Sequence, residues 1–223
     1  MSLHVKICGL KTEEMIRAAA AAGADSIGFV FFEKSPRYLT MGEAMKLRRA
    51  VPEGVWVVAL LVDPDNALLD DLVTYVHPDV IQLHGKESPE RVAEIRARTH
   101  IPVMKAIAVS GPEDVESAEA YEPVVDMLLF DAKPPKTMAG ALPGGNGLAF
   151  DWELIGARKP RKPWMLSGGL TPLNVAEAMR TAGATMVDVS SGVESTPGEK
   201  DAALVEAFIR AAKQDADLVK VKE

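Results

Sequence analysis

The sequence predicts an α/β fold, a single-domain (β/α)8 TIM barrel spanning residues 1–223. Three observations carry that expectation. Eight short runs rich in Val, Ile, Leu and Phe recur along the chain, with helical segments between them. The runs are continuously apolar rather than alternating, which is the pattern of strands buried on both faces. The length of 223 residues is also about what one such barrel requires. An open doubly wound sheet is the rival arrangement. The first strand-to-helix turn, CGLKTEE, lacks the G-x-G-x-x-G fingerprint of that rival.

The elements follow in order. HVKIC (4–8) is the first run, and Met15, Ala18, Ala19 and Ala22 then repeat at helical spacing up to Gly23. SIGFVF (26–31) precedes a helix marked by Ala44, Leu47 and Val51, which stops at Pro52-Glu53-Gly54. VWVVALLV (55–62) is the most apolar run, and Asp63-Pro64 closes it. DVIQLHG (79–85) leads to Ser88-Pro89, and PVMKAIAV (102–109) leads to Gly111-Pro112. Each pair sets a cap position before a proline at the first helical residue. VVDMLLFDA (124–132) opens into a loop over 133–150 whose length and Gly/Pro content mark a functional or disordered loop. PWMLSGG (163–169) precedes a third expected helix start at Thr171-Pro172. MVDVSSG (186–192) is the last run, and Leu204, Phe208 and Ala211 mark the final long helix. Residues 215–223 are expected to fray.

Composition narrows the function classes. A net charge of −7 argues against nucleic acid as a general partner. No stretch approaches the roughly 20 apolar residues of a membrane span, and MSLHVKICG has no long apolar signal region. One cysteine cannot form an internal disulfide, so a reducing compartment fits. These features predict a cytoplasmic protein with no membrane or nucleic-acid partner; they leave monomer or homodimer open.

Barrels place their chemistry at the C-terminal ends of the strands. Cys8 ends the first run there, although a lone cysteine is more often a small buried hydrophobe. Asp131 ends MLLF and opens the long loop. Arg37, after Ser35-Pro36, has the fork that fits a substrate carboxylate. Gly168 and Gly169 in SGGLTPLNV, with Ser191 and Gly192 in DVSSGVE, expose backbone N–H groups at two adjacent strand ends. Such a pair of turns suits a phosphate. His84 reads as a hydrogen-bonded structural residue, and the histidines show no metal spacing with Cys8. The expected ligand is a small phosphorylated molecule.

KICGL (6–10), GADSIGFVF (23–31), SPR (35–37) and IQLHGKE (81–87) resemble phosphoribosylanthranilate isomerase of tryptophan biosynthesis. So do LLFDAK (128–133), PGGNGLAFDW (143–152), SGGLTPLNV (167–175) and VDVSSGVESTPGEKD (187–201). The resemblance runs in order from Lys6 to about Phe208. It implies an Amadori rearrangement of N-(5-phosphoribosyl)anthranilate, with no cofactor and no metal. Asp131 would be the general acid and Cys8 the general base. Arg37 would hold the anthranilate carboxylate, and Gly168, Gly169, Ser191 and Gly192 the phosphate. Two departures are Asn146 and Lys11, where the family usually has threonine; Thr12 could cap the first helix instead. Lys6, two residues from Cys8, is expected to lower the thiol pKa. An apolar wall over 127–130 or a covering loop is expected to keep Asp131 protonated. The rival readings are the histidine-pathway isomerase, which carries an aspartate rather than a cysteine at the first strand end, and a non-catalytic phosphosugar-binding barrel.

Overall fold

The eight apolar runs become eight parallel strands. They are β1 (His4–Cys8), β2 (Ser26–Val30), β3 (Trp56–Leu61), β4 (Val80–Leu83), β5 (Val103–Val109), β6 (Met127–Ala132), β7 (Trp164–Leu166) and β8 (Met186–Val189). The computed structural model describes residues 3–133, 144, 145, 147, 149, 151–158 and 160–220. The strands pair in sequence order, and β8 returns to β1, so the sheet closes into a barrel. Closure rules out the open doubly wound sheet.

Side chains alternate across each strand, so β3 to β7 each serve two cores. Val5 and Ile7 of β1, Ile27 and Phe29 of β2, and Leu128 and Phe130 of β6 pack outward against the helices. Val58, Val80, Met104, Ala106, Leu129 and Met165 fill the inside of the barrel. This double burial is why the runs are continuously apolar. Lys6, Gln82 and Asp188 are exceptions that matter later: all three are buried inward-facing polar side chains.

Between the strands lie α1 (Glu13–Ala22), α2 (Met41–Arg48), α3 (Asn66–Asp71), α4 (Pro89–Thr99), α5 (Pro112–Ser117), α6 (Glu153–Arg158) and α7 (Val175–Ala182), with α8 (Ala202–Lys220) last. Thr12 caps α1, its hydroxyl accepting from the Met15 N–H at 3.2 Å. The threonine therefore takes the cap beside Lys11. Ser88 and Pro89 start α4, and Gly111 and Pro112 start α5. Thr171-Pro172 does not start a helix; α7 begins at Val175. The reason is Asn174, whose side chain accepts from the Thr171 N–H (2.7 Å) and donates to the Gly169 carbonyl (3.0 Å). These bonds give the backbone of 171–174 a turn as an alternative to helix. The backbone of α8 runs to Lys220, and residues 221–223 of the expected frayed end lie outside the described residues. Among the described residues no helix is long and apolar enough to cross a membrane.

Candidate active site

All seven residues singled out in the sequence line one pocket at the C-terminal mouth of the barrel: Cys8, Arg37, Asp131, Gly168, Gly169, Ser191 and Gly192. Strand polarity brings the strand-end residues together, because every strand ends on the same face; Arg37 reaches the pocket from the loop after β2.

Cys8 is buried at the end of β1, in register with Gly28 of β2. A β-carbon on Gly28 would stand 2.7 Å from the sulfur, so the glycine makes room for it. Lys6 lies on the same inner face, its ammonium 2.8 Å from Asp188 of β8. Asp188 also accepts from the Ser167 hydroxyl at 3.3 Å. The expected lowering of the Cys8 pKa is corrected. Burial pushes the thiol up, and the pull of Lys6, itself opposed by Asp188, does not overcome it. Burial works against the charge on Lys6, but Asp188 and Cys8 together offset it and hold the ammonium above the ordinary lysine range. Because Cys8 is the only cysteine, thiolate absorbance near 240 nm reports it alone. The titration midpoint is expected above that of a free thiol; a midpoint at or below the free-thiol value would reverse the ranking of burial over Lys6.

Asp131 is buried at the end of β6. One carboxylate oxygen, Oδ1, accepts from the Ala132 N–H at 2.9 Å, and the other, Oδ2, lies 3.2 Å from Nε2 of His84. Of the expected wall over 127–130, Leu128 and Phe130 face the helical shell, while Leu129 faces the barrel interior, as Asp131 does. Glycine backbone covers the carboxylate. A β-carbon on Gly144 would stand 2.7 Å from both Asp131 Oδ2 and His84 Nε2. One on Gly168, whose φ is +86°, would stand 3.1 Å from Oδ1 and 2.5 Å from the Ala132 nitrogen. Gly144, Gly145 and Gly147 bring part of the long loop to the pocket. Apart from Lys133 and Ala149, the remainder of that loop, Asn146 included, lies outside the described residues.

Arg37 does not stand alone. Its Nε and Nη2 donate to the two carboxylate oxygens of Glu194 at 2.7 and 2.8 Å, and Nη2 approaches the Gly145 carbonyl at 3.4 Å. Lys200 joins the same carboxylate at 2.5 Å, and all three side chains are buried. A two-stranded hairpin, β9 (Glu194–Thr196) and β10 (Glu199–Lys200), places Glu194 and Lys200. Its turn docks on the Arg37 loop so closely that a β-carbon on Gly198 would lie 2.6 Å from the Pro36 carbonyl oxygen. Burial works against the charge on Glu194, but Arg37 and Lys200 hold the carboxyl below its usual range. Burial pushes Lys200 down despite Glu194. Sequence reasoning missed Glu194, Lys200 and Asp188. The last carried a signal: a charge inside the apolar run MVDV, like the lysine inside HVKIC.

At the ends of β7 and β8, Gly168 and Gly169 both hold positive φ, and a 3-10 turn follows at Ser191–Val193. A β-carbon on Gly192 would overlap the Leu170 carbonyl oxygen, so these two loops touch through bare backbone. The N–H groups of Gly168, Gly169, Ser191 and Gly192 donate to no group among the described residues. They form a set of unspent donors at one rim, suited to an anion. Among the described residues no three His, Cys, Asp or Glu side chains gather as a metal site would need.

Comparison with known proteins agrees over nearly the whole chain. The family model for N-(5'phosphoribosyl)anthranilate (PRA) isomerase matches residues 5–211. The N-(5'-phosphoribosyl)anthranilate isomerase of Parvibaculum lavamentivorans is 58% identical over 214 residues, covering 96% of this chain and 100% of that protein. That of Paracoccus denitrificans is 56% identical, covering 95% and 98%. Among solved structures, phosphoribosyl anthranilate isomerase from Thermotoga maritima superposes with a TM-score of 0.85 at 37% identity, over 95% of this chain and 99% of that one. A phosphoribosyl anthranilate isomerase in complex with reduced 1-(o-carboxyphenylamino)-1-deoxyribulose 5-phosphate superposes at 0.82 with 36% identity, over 95% and 99%. With its closed barrel and its family match from residue 5 to residue 211, the chain belongs to the N-(5'-phosphoribosyl)anthranilate isomerase family.

Proposed function

We propose that the chain catalyses the Amadori rearrangement of N-(5-phosphoribosyl)anthranilate to 1-(2-carboxyphenylamino)-1-deoxyribulose 5-phosphate, a step of tryptophan biosynthesis, with Asp131 as general acid and Cys8 as general base. The observation that carries this is the meeting of Cys8, Asp131 and unspent backbone donors in one pocket of a chain of this family. Asp131 protonates the furanose ring oxygen, the C1′–O bond breaks, and an iminium forms at C1′. The iminium acidifies the C2′ hydrogen, and the Cys8 thiolate removes that proton. The resulting enolamine tautomerises to the aminoketose. One proton is given and one taken within a single molecule, so the reaction as written needs no cofactor, metal or redox partner.

The phosphate sits on the N–H groups of Gly168, Gly169, Ser191 and Gly192. The anthranilate carboxylate meets Arg37 through Nη1, the nitrogen that the bidentate pair with Glu194 leaves over. The working form is a monomer or a homodimer; the Thermotoga maritima relative is dimeric.

The direct test follows the fluorescence of phosphoribosylanthranilate when purified protein is added; an unchanged signal at micromolar enzyme would sink the reading. A second test addresses the anion site. Inorganic phosphate is expected to inhibit competitively, and Gly192→Ala, which forces the two loops apart, to weaken that inhibition about tenfold or more, the scale of a lost hydrogen bond to a charged group. Equal inhibition of both proteins would place the phosphate elsewhere.

A further inference from the structure

Gln82 is fully buried on the inner face of β4, in register with Leu60 of β3 and Met104 of β5. A buried amide costs free energy unless both its ends are hydrogen-bonded. Here only one end is. Nε2 meets Nδ1 of His84 at 3.0 Å, while Oε1 is buried with no partner among the described residues. Packing alone does not call for this amide, because a methionine would fill the same space without stranding an oxygen. Its one polar contact among the described residues is His84.

Counting hydrogens shows what that contact does. An amide nitrogen only donates, so Nδ1 must present a lone pair. A neutral imidazole then carries its proton on Nε2. Nε2 is buried and lies 3.2 Å from Asp131 Oδ2, in ion-pair range but not aligned for a hydrogen bond. The opposite tautomer would turn a nitrogen lone pair onto the carboxylate that forms when Asp131 gives up its proton. The amide on one side of the ring and that nascent carboxylate on the other therefore favour the same proton position.

We propose that Gln82 is a positioning residue, which keeps the His84 proton on Nε2 so that an N–H stands ready for the carboxylate formed when Asp131 gives up its proton. The proposal rests on the general-acid reading of Asp131 above. A hydrogen bond that tightens only as charge develops favours the transition state over the bound substrate. Loose alignment at rest is compatible with that role.

Nitrogen-15 NMR of the full-length chain tests it, with His84 identified by its loss in His84→Asn. The expected wild-type spectrum has a protonated Nε2 and a bare Nδ1. Gln82→Glu, which puts an acceptor beside Nδ1, should draw the proton there. Gln82→Met should abolish the preference while melting no lower than the parent, since it removes an orphaned oxygen. Gln82→Glu should lower kcat about ten- to a hundredfold, the scale of one charge-assisted hydrogen bond, with KM changed less than about twofold. A wild-type Nδ1–H tautomer, a tautomer unmoved in Gln82→Glu, or a loss carried by KM would each overturn the proposal. The tautomer is read without substrate, so a failure of the isomerase reading is distinguishable from a failure of this one.

Discussion

Cys8→Ala and Asp131→Asn should each slow the single-turnover rearrangement by about 10²–10⁴, the usual contribution of one positioned acid or base. Substrate affinity should change little, because each residue serves a proton transfer rather than ground-state binding. Both side chains are buried in the pocket. Asparagine keeps the shape of Asp131 but has no acidic proton to give, and alanine leaves no base near C2′. The double variant should be little worse than the slower single variant, since neither half of the reaction completes without the other. Single-turnover measurement is needed so that slow product release does not mask the chemical step. A Cys8→Ala protein that rearranges bound substrate at a near-normal rate would end the general-base assignment.

The second large effect concerns stability as much as activity. Glu194→Ala leaves Arg37 and Lys200 buried with their shared carboxylate gone. Removing one partner of a buried ionic network typically costs about 3–5 kcal/mol, because the remaining charges lose their compensation. The unfolding free energy from urea denaturation should fall by that amount, and by less in Glu194→Gln. In protein that still folds, Arg37 loses the two bonds that orient its guanidinium, so KM should rise more than kcat falls. A Glu194→Ala variant as stable as its parent would mean that the three charges are not mutually dependent. One with unchanged KM would separate Arg37 from substrate binding.

The sequence revealed the barrel because double-sided burial leaves a local trace: eight apolar runs with no alternation. Strand ends were legible for the same reason, and with them Cys8, Asp131 and the glycine turns. The start of α7 was not, because the Asn174 side chain competes with helix over 171–174, and a Thr-Pro pair does not record that competition. The company that Arg37 keeps was hidden too. Glu194 lies 157 residues away along the chain and reaches it through a hairpin whose docking depends on the closed barrel. His84 was read as a hydrogen-bonded residue, and it is one, through Gln82. Its approach to Asp131 is a matter of barrel geometry, since β4 and β6 are not sheet neighbours.

The pairing of β1 with β8 also bears on how the chain matures. Lys6 and Asp188 stand 182 residues apart in sequence, as do Cys8 and Ser190, whose hydroxyl donates to the Cys8 carbonyl at 3.1 Å. During synthesis the first strand emerges long before the last, and until β8 arrives Lys6 must keep its charge in water. Joining the two ends carries the loop-closure cost of nearly the whole polypeptide, a contact pattern associated with slow folding. The cysteine therefore sits on the seam that nascent chains close last. A ribosome-released fragment ending before residue 186 lacks both the partner of Lys6 and the turn beside Cys8, so catalytic competence and completion of the barrel should be acquired in a single event.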